Sequence, residues 1–227
     1  QPIGSYIWHN ITLKINSCRG LLVGNPSLIS IENLRFERDD TAVVSCDQLH
    51  VNVGEILQIE GPNGSGKTTL LRLLTTALQP QEGTILFCGK SIAECRFEYL
   101  SDILFIGHQS AVKLTLTAEE NLAWMAESDL SSAASLRALE SLGLAGYSDI
   151  PCYKLSAGQQ RRVALARLLL SDARLWYLDE PFTAIDRDGV KLLERCMEDH
   201  VSSGGAVVVS THQDLDVQDV RRYSVLG

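Results

Sequence analysis

The sequence predicts an α/β fold in which a mostly parallel core sheet is flanked by helices. A glycine-rich loop at residues 61–68 separates a short apolar run from a segment with helical spacing. A second apolar run, residues 175–178, ends directly in two carboxylates. Other short apolar runs alternate with helical segments, which is the pattern that βαβ units produce. Both chemically distinctive segments therefore fall at strand ends, where ligands bind in open α/β sheets.

The N-terminal part of the chain divides into two regions of different character. Residues 1–27 contain glycine and proline without a regular period, and we predict a poorly ordered or weakly docked extension there. From residue 28 the side chains alternate in strand fashion through residue 36, and a second strand is predicted over residues 49–53. We expect these strands to form an antiparallel β region at the start of one domain that spans residues 28–227.

The rest of the domain alternates strands with helices. Residues 117–147 have helical spacing, and Thr117 followed by Glu120 predicts a capping box. Ser156 precedes a long helix, so a helical subdomain of about residues 111–160 is predicted as an insertion into the sheet. The remaining predicted strands are the short apolar runs at residues 56–59, 84–87, 103–106, 175–178 and 206–209.

Composition excludes several classes of function. The 227 residues carry a formal net charge of −8, which disfavours a nucleic-acid partner and adsorption to anionic lipid. No apolar run approaches the ~20 residues that span a bilayer, so direct membrane insertion is not expected. None of the six cysteines forms a Cys-x-x-Cys pair, which argues against structural zinc. We expect an intracellular enzyme whose cysteines are small apolar residues.

The loop at residues 61–68 fits the phosphate-binding pattern of Gly, four residues, Gly, Lys and Ser/Thr. Its glycines let backbone N–H groups approach phosphate oxygens, and the following helix contributes its positive N-terminal end. The Lys67 ammonium suits the β- and γ-phosphates, and the Thr68 hydroxyl suits Mg²⁺. The predicted nucleotide-binding residues of this segment are Gly61, Pro62, Asn63, Gly64, Ser65, Gly66, Lys67, Thr68 and Thr69.

The carboxylates at the end of the 175–178 strand complete the predicted chemistry. Asp179 is expected to hold Mg²⁺, directly or through water, and Glu180 to polarise the attacking water. The plain alternative is a strand that ends in acidic turn residues. The phosphate loop upstream makes the catalytic interpretation the stronger one.

Four further segments resemble the motifs of the ATP-binding cassette (ABC) family. Leu155-Ser156-Ala157-Gly158-Gln159 matches its signature, Ala184-Ile185-Asp186 matches its D-loop, and Thr211-His212 follows the last apolar strand as the family's switch histidine does. Gln109 ends the 103–106 strand region as the family's Q-loop glutamine does. Without the other motifs, Ser156 would be interpreted as an ordinary helix cap and His212 as an exposed surface residue. The resemblance covers residues 28–227 and implies the fold of a P-loop NTPase ABC cassette.

This resemblance implies specific partners and roles. ABC cassettes act as head-to-tail dimers that enclose two ATP molecules. The catalytic residues carried over are Glu180, His212 and Gln109, and the metal-binding residues are Thr68, Asp179 and Gln109. Ser156 and Gly158 are expected to reach the γ-phosphate held by the opposite subunit. Arg38 stands near the position of the family's adenine-stacking aromatic residue, and its guanidinium plane is expected to stack on the base, with Phe36 two residues earlier on the same side of the strand.

Within the ABC family, the chain is most similar to the heme exporter protein A group. Residues 105–109, 116–122, 155–168, 175–186 and 210–213 carry this resemblance. It implies an ATPase that is peripheral on the cytoplasmic face of the bacterial inner membrane. The implied partners are integral membrane subunits of the cytochrome c maturation complex and, indirectly, a heme chaperone. Heme export and release of heme-loaded chaperone both remain open, and the alternative is a soluble, non-transport ABC ATPase such as the iron–sulfur cluster assembly type.

Overall fold

A computed structural model of the chain describes residues 27–39, 41–125 and 131–225. The predicted extension at residues 1–27 lies outside the described residues, except that Ser27 begins the first strand. The strands, in chain order, are β1 (Ser27–Arg38), β2 (Thr41–Asn52), β3 (Ile56–Glu60), β4 (Glu82–Phe87), β5 (Lys90–Ser91), β6 (Ile103–Ile106), β7 (Leu175–Asp179), β8 (Ala206–Ser210) and β9 (Val220–Ser224). The α-helices are α1 (Lys67–Leu74), α2 (Arg96–Leu100), α3 (Ala118–Met125), α4 (Ser132–Ser141), α5 (Ala157–Ala166) and α6 (Arg187–Ser202).

The larger sheet is parallel and has the strand order β6-β7-β8-β3-β9. Every residue of β7 and β8 is buried, because helices and the second sheet cover both faces. Continuous apolar sequence is therefore required there, as the runs at residues 175–178 and 206–209 predict. Because β7, β8 and β3 are adjacent and parallel, the segments that follow them meet at one edge.

The smaller sheet is antiparallel and has the order β2-β1-β4-β5. Its long pair, β1 and β2, ends where Arg38 pairs with Thr41, and the register shifts after Phe36, which pairs with Val44. The shift leaves Val43 without a partner on β1 and aims its backbone toward the phosphate loop. One core cluster joins this sheet to β3 and α1, so the hairpin is fixed against the nucleotide-binding edge.

Short helices lie between β6 and β7, within the predicted subdomain of residues 111–160. The Thr117–Glu120 capping box is confirmed: Glu120 N donates to Thr117 Oγ1 over 3.1 Å, and Thr117 N donates to Glu120 Oε2 over 2.8 Å. Ser156 caps α5 with a second capping box. The α-helix predicted after Ser156 is shorter than expected. It ends at Ala166, and a 3₁₀ turn over Arg167–Leu170 follows it.

Two buried contacts hold α6 and β7 together at the edge of the sheet opposite the phosphate loop. His200 stacks on Trp176 with ring centroids 3.7 Å apart and planes 9° apart, and its Nε2 lies 2.9 Å from the Arg174 carbonyl oxygen. Arg174 also forms a buried ion pair with Asp102. Among the described residues, no helix combines the length and apolar character needed to cross a membrane.

Candidate functional site

A cavity of about 650 Å³ opens where β3, β7 and β8 end. Three parts of the sequence that are far apart reach it through strand pairing alone: the phosphate loop, the end of β7 and the segment after β8. The residues that line it are Arg38, Val43, Asn63, Gly64, Gly66, Lys67, Thr68, Thr69, His108, Asp179, Glu180, Thr183 and His212. Most of the predicted nucleotide-binding residues are therefore brought together.

Gly66 shows why the phosphate loop needs glycine. It has a φ of 98°, a conformation that is strained for residues with a side chain. A Cβ at this position would lie 2.3 Å from the Val43 carbonyl oxygen, because the β1–β2 hairpin packs directly on the loop. The glycine thus lets α1 begin immediately behind the loop, so that its free N–H groups face the cavity.

The Lys67 ammonium occupies the centre of the phosphate loop. Its side chain is almost fully buried, and Nζ donates to the carbonyl oxygens of Gly61 over 2.7 Å and Pro62 over 3.0 Å. Nζ also lies 3.3 Å from His212 Nε2. Loop carbonyl oxygens thus hold the positive charge in place within the loop. Gly61 and Pro62 do not line the cavity themselves, and neither does Ser65.

Asp179 and Thr68 form a cluster of hard oxygen ligands. Thr68 Oγ1 donates to Asp179 Oδ2 over 2.9 Å, and Ser210 Oγ donates to Asp179 Oδ1 over 2.6 Å. The Asp179 side chain is buried, so these hydrogen bonds fix the direction of both carboxylate oxygens. One carboxylate beside one hydroxyl fits Mg²⁺, which takes one or two protein oxygens and completes its octahedron with water and phosphate.

Glu180 and His212 face each other across the cavity. Glu180 Oε1 lies 3.5 Å from His212 Nε2, and the same nitrogen lies 2.9 Å from Asn63 Oδ1. The Glu180 backbone has a φ of 47°, and its N–H donates to the Ser210 carbonyl oxygen over 2.9 Å. The chain therefore changes direction at Glu180, and this side chain lines the cavity instead of continuing along β7.

Besides Gly61, Pro62 and Ser65, three further predicted site residues do not line this cavity. Gln109 is exposed and follows His108, which does line it. Ser156 is exposed at the start of α5, where its Oγ accepts a hydrogen bond from Gln159 N, and Gly158 lies in the first turn of that helix. The expected role of Ser156 and Gly158 toward a nucleotide in an opposite subunit stays a prediction.

Arg38 is the residue of the β1–β2 pair that stands nearest the predicted base contact. It ends β1 and lines the cavity together with Val43 of β2. Phe36 packs instead against the core cluster beneath the antiparallel sheet. Of the two side chains considered for the base, Arg38 is the one at the cavity.

The sequence interpretation missed several residues of the site. His108 and Thr183 line the cavity, and Ser210 orients Asp179. Ser210 is the last residue of β8 and His108 lies two residues after β6, so their places at strand ends could have suggested them. Thr183 lies four residues beyond the end of β7 and has no such position. Arg161 gave no such indication, because an arginine within a helix is usually exposed. It is buried here, and burial lowers the pKa of its guanidinium, while the charges of Asp179 and Glu180 raise that pKa in part.

Comparison with known proteins identifies the family. A family model described as ABC transporter matches residues 45–183. The cytochrome c biogenesis ATP-binding export protein CcmA of Vibrio vulnificus (strain YJ016) is 49% identical over 191 residues, or 83% of this chain and 93% of that protein. The chain belongs to the ABC transporter family, in its CcmA group. The CcmA protein of Hahella chejuensis (strain KCTC 2396) is 46% identical over 204 residues, or 88% of this chain and 97% of that protein.

Solved ABC structures agree with the fold of this cassette. A putative ABC transporter ATP-binding protein from Pyrococcus furiosus has a TM-score of 0.76 and 29% identity, with 87% of this chain and 96% of that chain covered. A dimeric ATP-binding cassette in a post-hydrolysis state with ADP and Pi has a TM-score of 0.69 and 26% identity, covering 82% of this chain and 88% of that one. The α/β fold of a P-loop ABC cassette is therefore confirmed.

Proposed function

We propose that the chain is the ATP-hydrolysing subunit of an ABC complex in cytochrome c maturation, where it drives heme export or the release of a heme-loaded chaperone. The supporting observation is that one cavity gathers the Lys67 ammonium, the Thr68–Asp179 pair and the Glu180–His212 pair. They occur in a chain that is 46% and 49% identical to two CcmA proteins over most of their length. The proposed cassette spans residues 28–227.

The phosphate loop holds the triphosphate of ATP. Backbone N–H groups of the loop and of the first turn of α1 point to the phosphate oxygens, and Lys67 contributes its charge to the β- and γ-phosphates. To do so, its Nζ exchanges the two carbonyl contacts of the free site for phosphate contacts. Arg38 lies where its guanidinium plane can stack on adenine, so it takes the place of an aromatic platform.

Thr68 and Asp179 would hold Mg²⁺, and Gln109 is the third proposed ligand. A bound Mg²⁺ would supply positive charge against the negative charge that develops on the phosphates. Ser210 holds Asp179 in the orientation that this role needs. Gln109 is exposed in the present arrangement, so its loop has to move inward to complete the set.

Glu180 is the proposed general base and His212 a contact for the γ-phosphate. The Glu180 carboxylate is partly exposed, with 22% of its side-chain surface accessible, whereas Asp179 is buried and already hydrogen-bonded. This difference leaves Glu180 available to orient a water for in-line attack. His212 Nε2 lies between Asn63 and Glu180, at the end of the cavity next to the loop.

A homodimer completes each active site. The exposed start of α5, with Ser156 and Gly158, is a second helix end suited to an anion, and it does not line the cavity of its own subunit. Head-to-tail pairing brings this helix start onto the γ-phosphate of the opposite subunit. Closure then depends on the terminal phosphate, and hydrolysis releases it.

The partner in the membrane is an integral subunit that contacts an exposed apolar surface of the segment between β6 and β7. This surface consists of Leu114, Trp124 and Tyr153, whose exposed fractions are 50%, 60% and 61%. Lys113 Nζ lies 3.4 Å from the Trp124 ring centroid, and Tyr153 N donates to the Leu114 carbonyl oxygen over 2.9 Å, so the three form one patch. With Lys113 and Lys154 at its border, the patch fits a cytoplasmic segment with apolar and acidic side chains.

This arrangement makes the chain a peripheral protein on the cytoplasmic face of the bacterial inner membrane. The alternative, a soluble ABC ATPase of the iron–sulfur cluster assembly type, requires the same cavity but no membrane subunit. The names of the CcmA relatives support the first proposal and not the second.

The test is purification of the full tagged chain from detergent-solubilised cells. Recovery with integral membrane subunits, together with restored cytochrome c assembly in a strain that lacks the gene, supports the proposal. A Leu114→Asp variant should lose the membrane subunits and keep ATP binding. Recovery only in soluble complexes, with no effect of the gene on cytochrome c assembly, favours the alternative.

A further inference from the structure

We propose that Arg161 is a positioning residue that couples the start of α5 to Glu180 and to the loop that carries Gln109. The proposal rests on the ATPase function given above. It adds a route by which one active site of the dimer affects the other, because the α5 start serves the opposite subunit and Glu180 serves its own.

Arg161 is buried among the ends of two neighbouring strands. Only 3% of its surface is accessible, although the helix on which it lies begins with the exposed residues Ser156 and Ala157. At the end of β6, Nη1 donates to the Gly107 carbonyl oxygen over 2.6 Å and to that of His108 over 3.3 Å. These are the two residues before Gln109, so the guanidinium fixes the base of the Gln109 loop.

The same guanidinium holds the end of β7. Nη2 donates to the carbonyl oxygens of Asp179 over 3.2 Å and Glu180 over 3.0 Å, and Nε donates to that of Pro181 over 3.2 Å. All five contacts are to backbone carbonyl oxygens, so the planar guanidinium binds the ends of two strands at the same time. Lysine has a single ammonium group and cannot reproduce this geometry.

The contact to Glu180 restrains a strained residue. With a φ of 47°, Glu180 adopts a left-handed conformation that is unfavourable for a residue with a side chain. Its N–H is held by the Ser210 carbonyl oxygen, and its C=O accepts from Arg161 over 3.0 Å and from Thr183 N over 3.3 Å. Without Arg161 the C=O keeps only the longer of these two hydrogen bonds, and the backbone can relax and turn the carboxylate away from the attacking water.

The link to the opposite subunit runs along α5. Ser156 caps this helix, and Arg161 lies in its second turn, within one rigid capped segment. A shift of the helix start toward a nucleotide in the other subunit therefore moves the guanidinium and the five carbonyl oxygens that it holds. Glu180 and the Gln109 loop respond together.

A purely structural role makes a different prediction, and Arg174 provides the comparison. Both arginines are buried and both flank β7: Arg174 precedes its first residue and pairs with Asp102, whereas Arg161 contacts its last. Arg174→Gln should lower thermal stability without changing catalysis at a temperature where the protein is folded. A merely structural Arg161 would behave in the same way.

The experiment compares Arg161→Gln, Arg161→Lys and Arg174→Gln in the complex purified through the full tagged chain. We expect Arg161→Gln to lower kcat about 10-fold or more, to change the Kd for ATP by less than about 3-fold, and to reduce the Hill coefficient for ATP toward 1. Arg161→Lys should show the same pattern to a smaller degree. Arg174→Gln should lower Tm and leave kcat and the Hill coefficient at wild-type values.

Two outcomes overturn the proposal: an unchanged kcat in Arg161→Gln, or parallel losses of kcat, affinity and Tm that Arg174→Gln reproduces. If Arg161→Gln does not fold, Arg161→Lys, which keeps the charge and the aliphatic stem, decides by the same criteria. Failure of the proposed ATPase function has a different signature from failure of the Arg161 proposal. In that case the wild-type complex either does not hydrolyse ATP or hydrolyses it at a rate that Glu180→Gln leaves unchanged.

Discussion

Replacement of Lys67 by alanine tests the phosphate site most directly. Its ammonium group donates to two loop carbonyl oxygens. In the proposed ATP complex it exchanges these contacts for contacts to phosphate oxygens. Two charge-assisted hydrogen bonds contribute about 3–6 kcal/mol, of which the lost carbonyl contacts offset about 1–2 kcal/mol. The net loss of about 2–4 kcal/mol corresponds to roughly 30-fold to several-hundred-fold weaker ATP binding.

The assay is equilibrium binding of ATP by calorimetry, with circular dichroism and Tm as checks on folding. Lys90→Ala is the matched control, since Lys90 is an exposed lysine of β5 outside the cavity. We expect Lys67→Ala to fold, because the freed carbonyl oxygens of Gly61 and Pro62 become accessible to water. ATP affinity within about 3-fold of the Lys90→Ala value, or retained hydrolysis, would refute the reasoning.

Three further predictions follow from the site and the core. Glu180→Gln should bind ATP, hydrolyse it at least about 100-fold more slowly and accumulate as a dimer; a monomer by light scattering under saturating ATP and Mg²⁺ contradicts the dimer. Gly66→Ala should unfold at lower urea than Gly64→Ala, because both residues have positive φ but only Gly66 meets a backbone oxygen at 2.3 Å; equal midpoints count against the packing argument. Burial lowers the pKa of His200 to about 4 from 6.5, so the folded state disfavours the imidazolium and stability should be full above pH 6.5 and fall as the pH drops toward 4. Urea titrations should show about 2–3 kcal/mol less stability from this group at pH 4.5 than at pH 7, and His200→Gln should remove that difference.

The parts of the fold that the sequence predicts best are those with local causes. β3, β7 and β8 are buried on both faces, so their continuous apolar runs identify them. The edge strand β9, with Arg221 and Arg222 exposed, has no such run, and its existence depends on pairing with β3. Non-local pairing of this kind leaves no periodic pattern in the sequence.

The candidate site divides in the same way. Lys67 and Thr68 follow from a local loop pattern, and Asp179 and Glu180 from their position after an apolar strand. Arg161 could not be predicted, because its five acceptors are backbone carbonyl oxygens whose positions exist only once β6 and β7 are paired. Any residue type at positions 107, 108 and 179–181 would present the same oxygens.

The convergence of loop, β7 end and β8 end has a consequence for the lifetime of the protein in the cell. No single segment of the unfolded chain can chelate a triphosphate as the assembled edge does, so ATP binds the native state alone. An ATP concentration 100 times the dissociation constant then adds about 2.7 kcal/mol to the free energy of unfolding. Energy depletion should therefore expose this ATPase to proteolysis, so that its abundance follows the nucleotide supply.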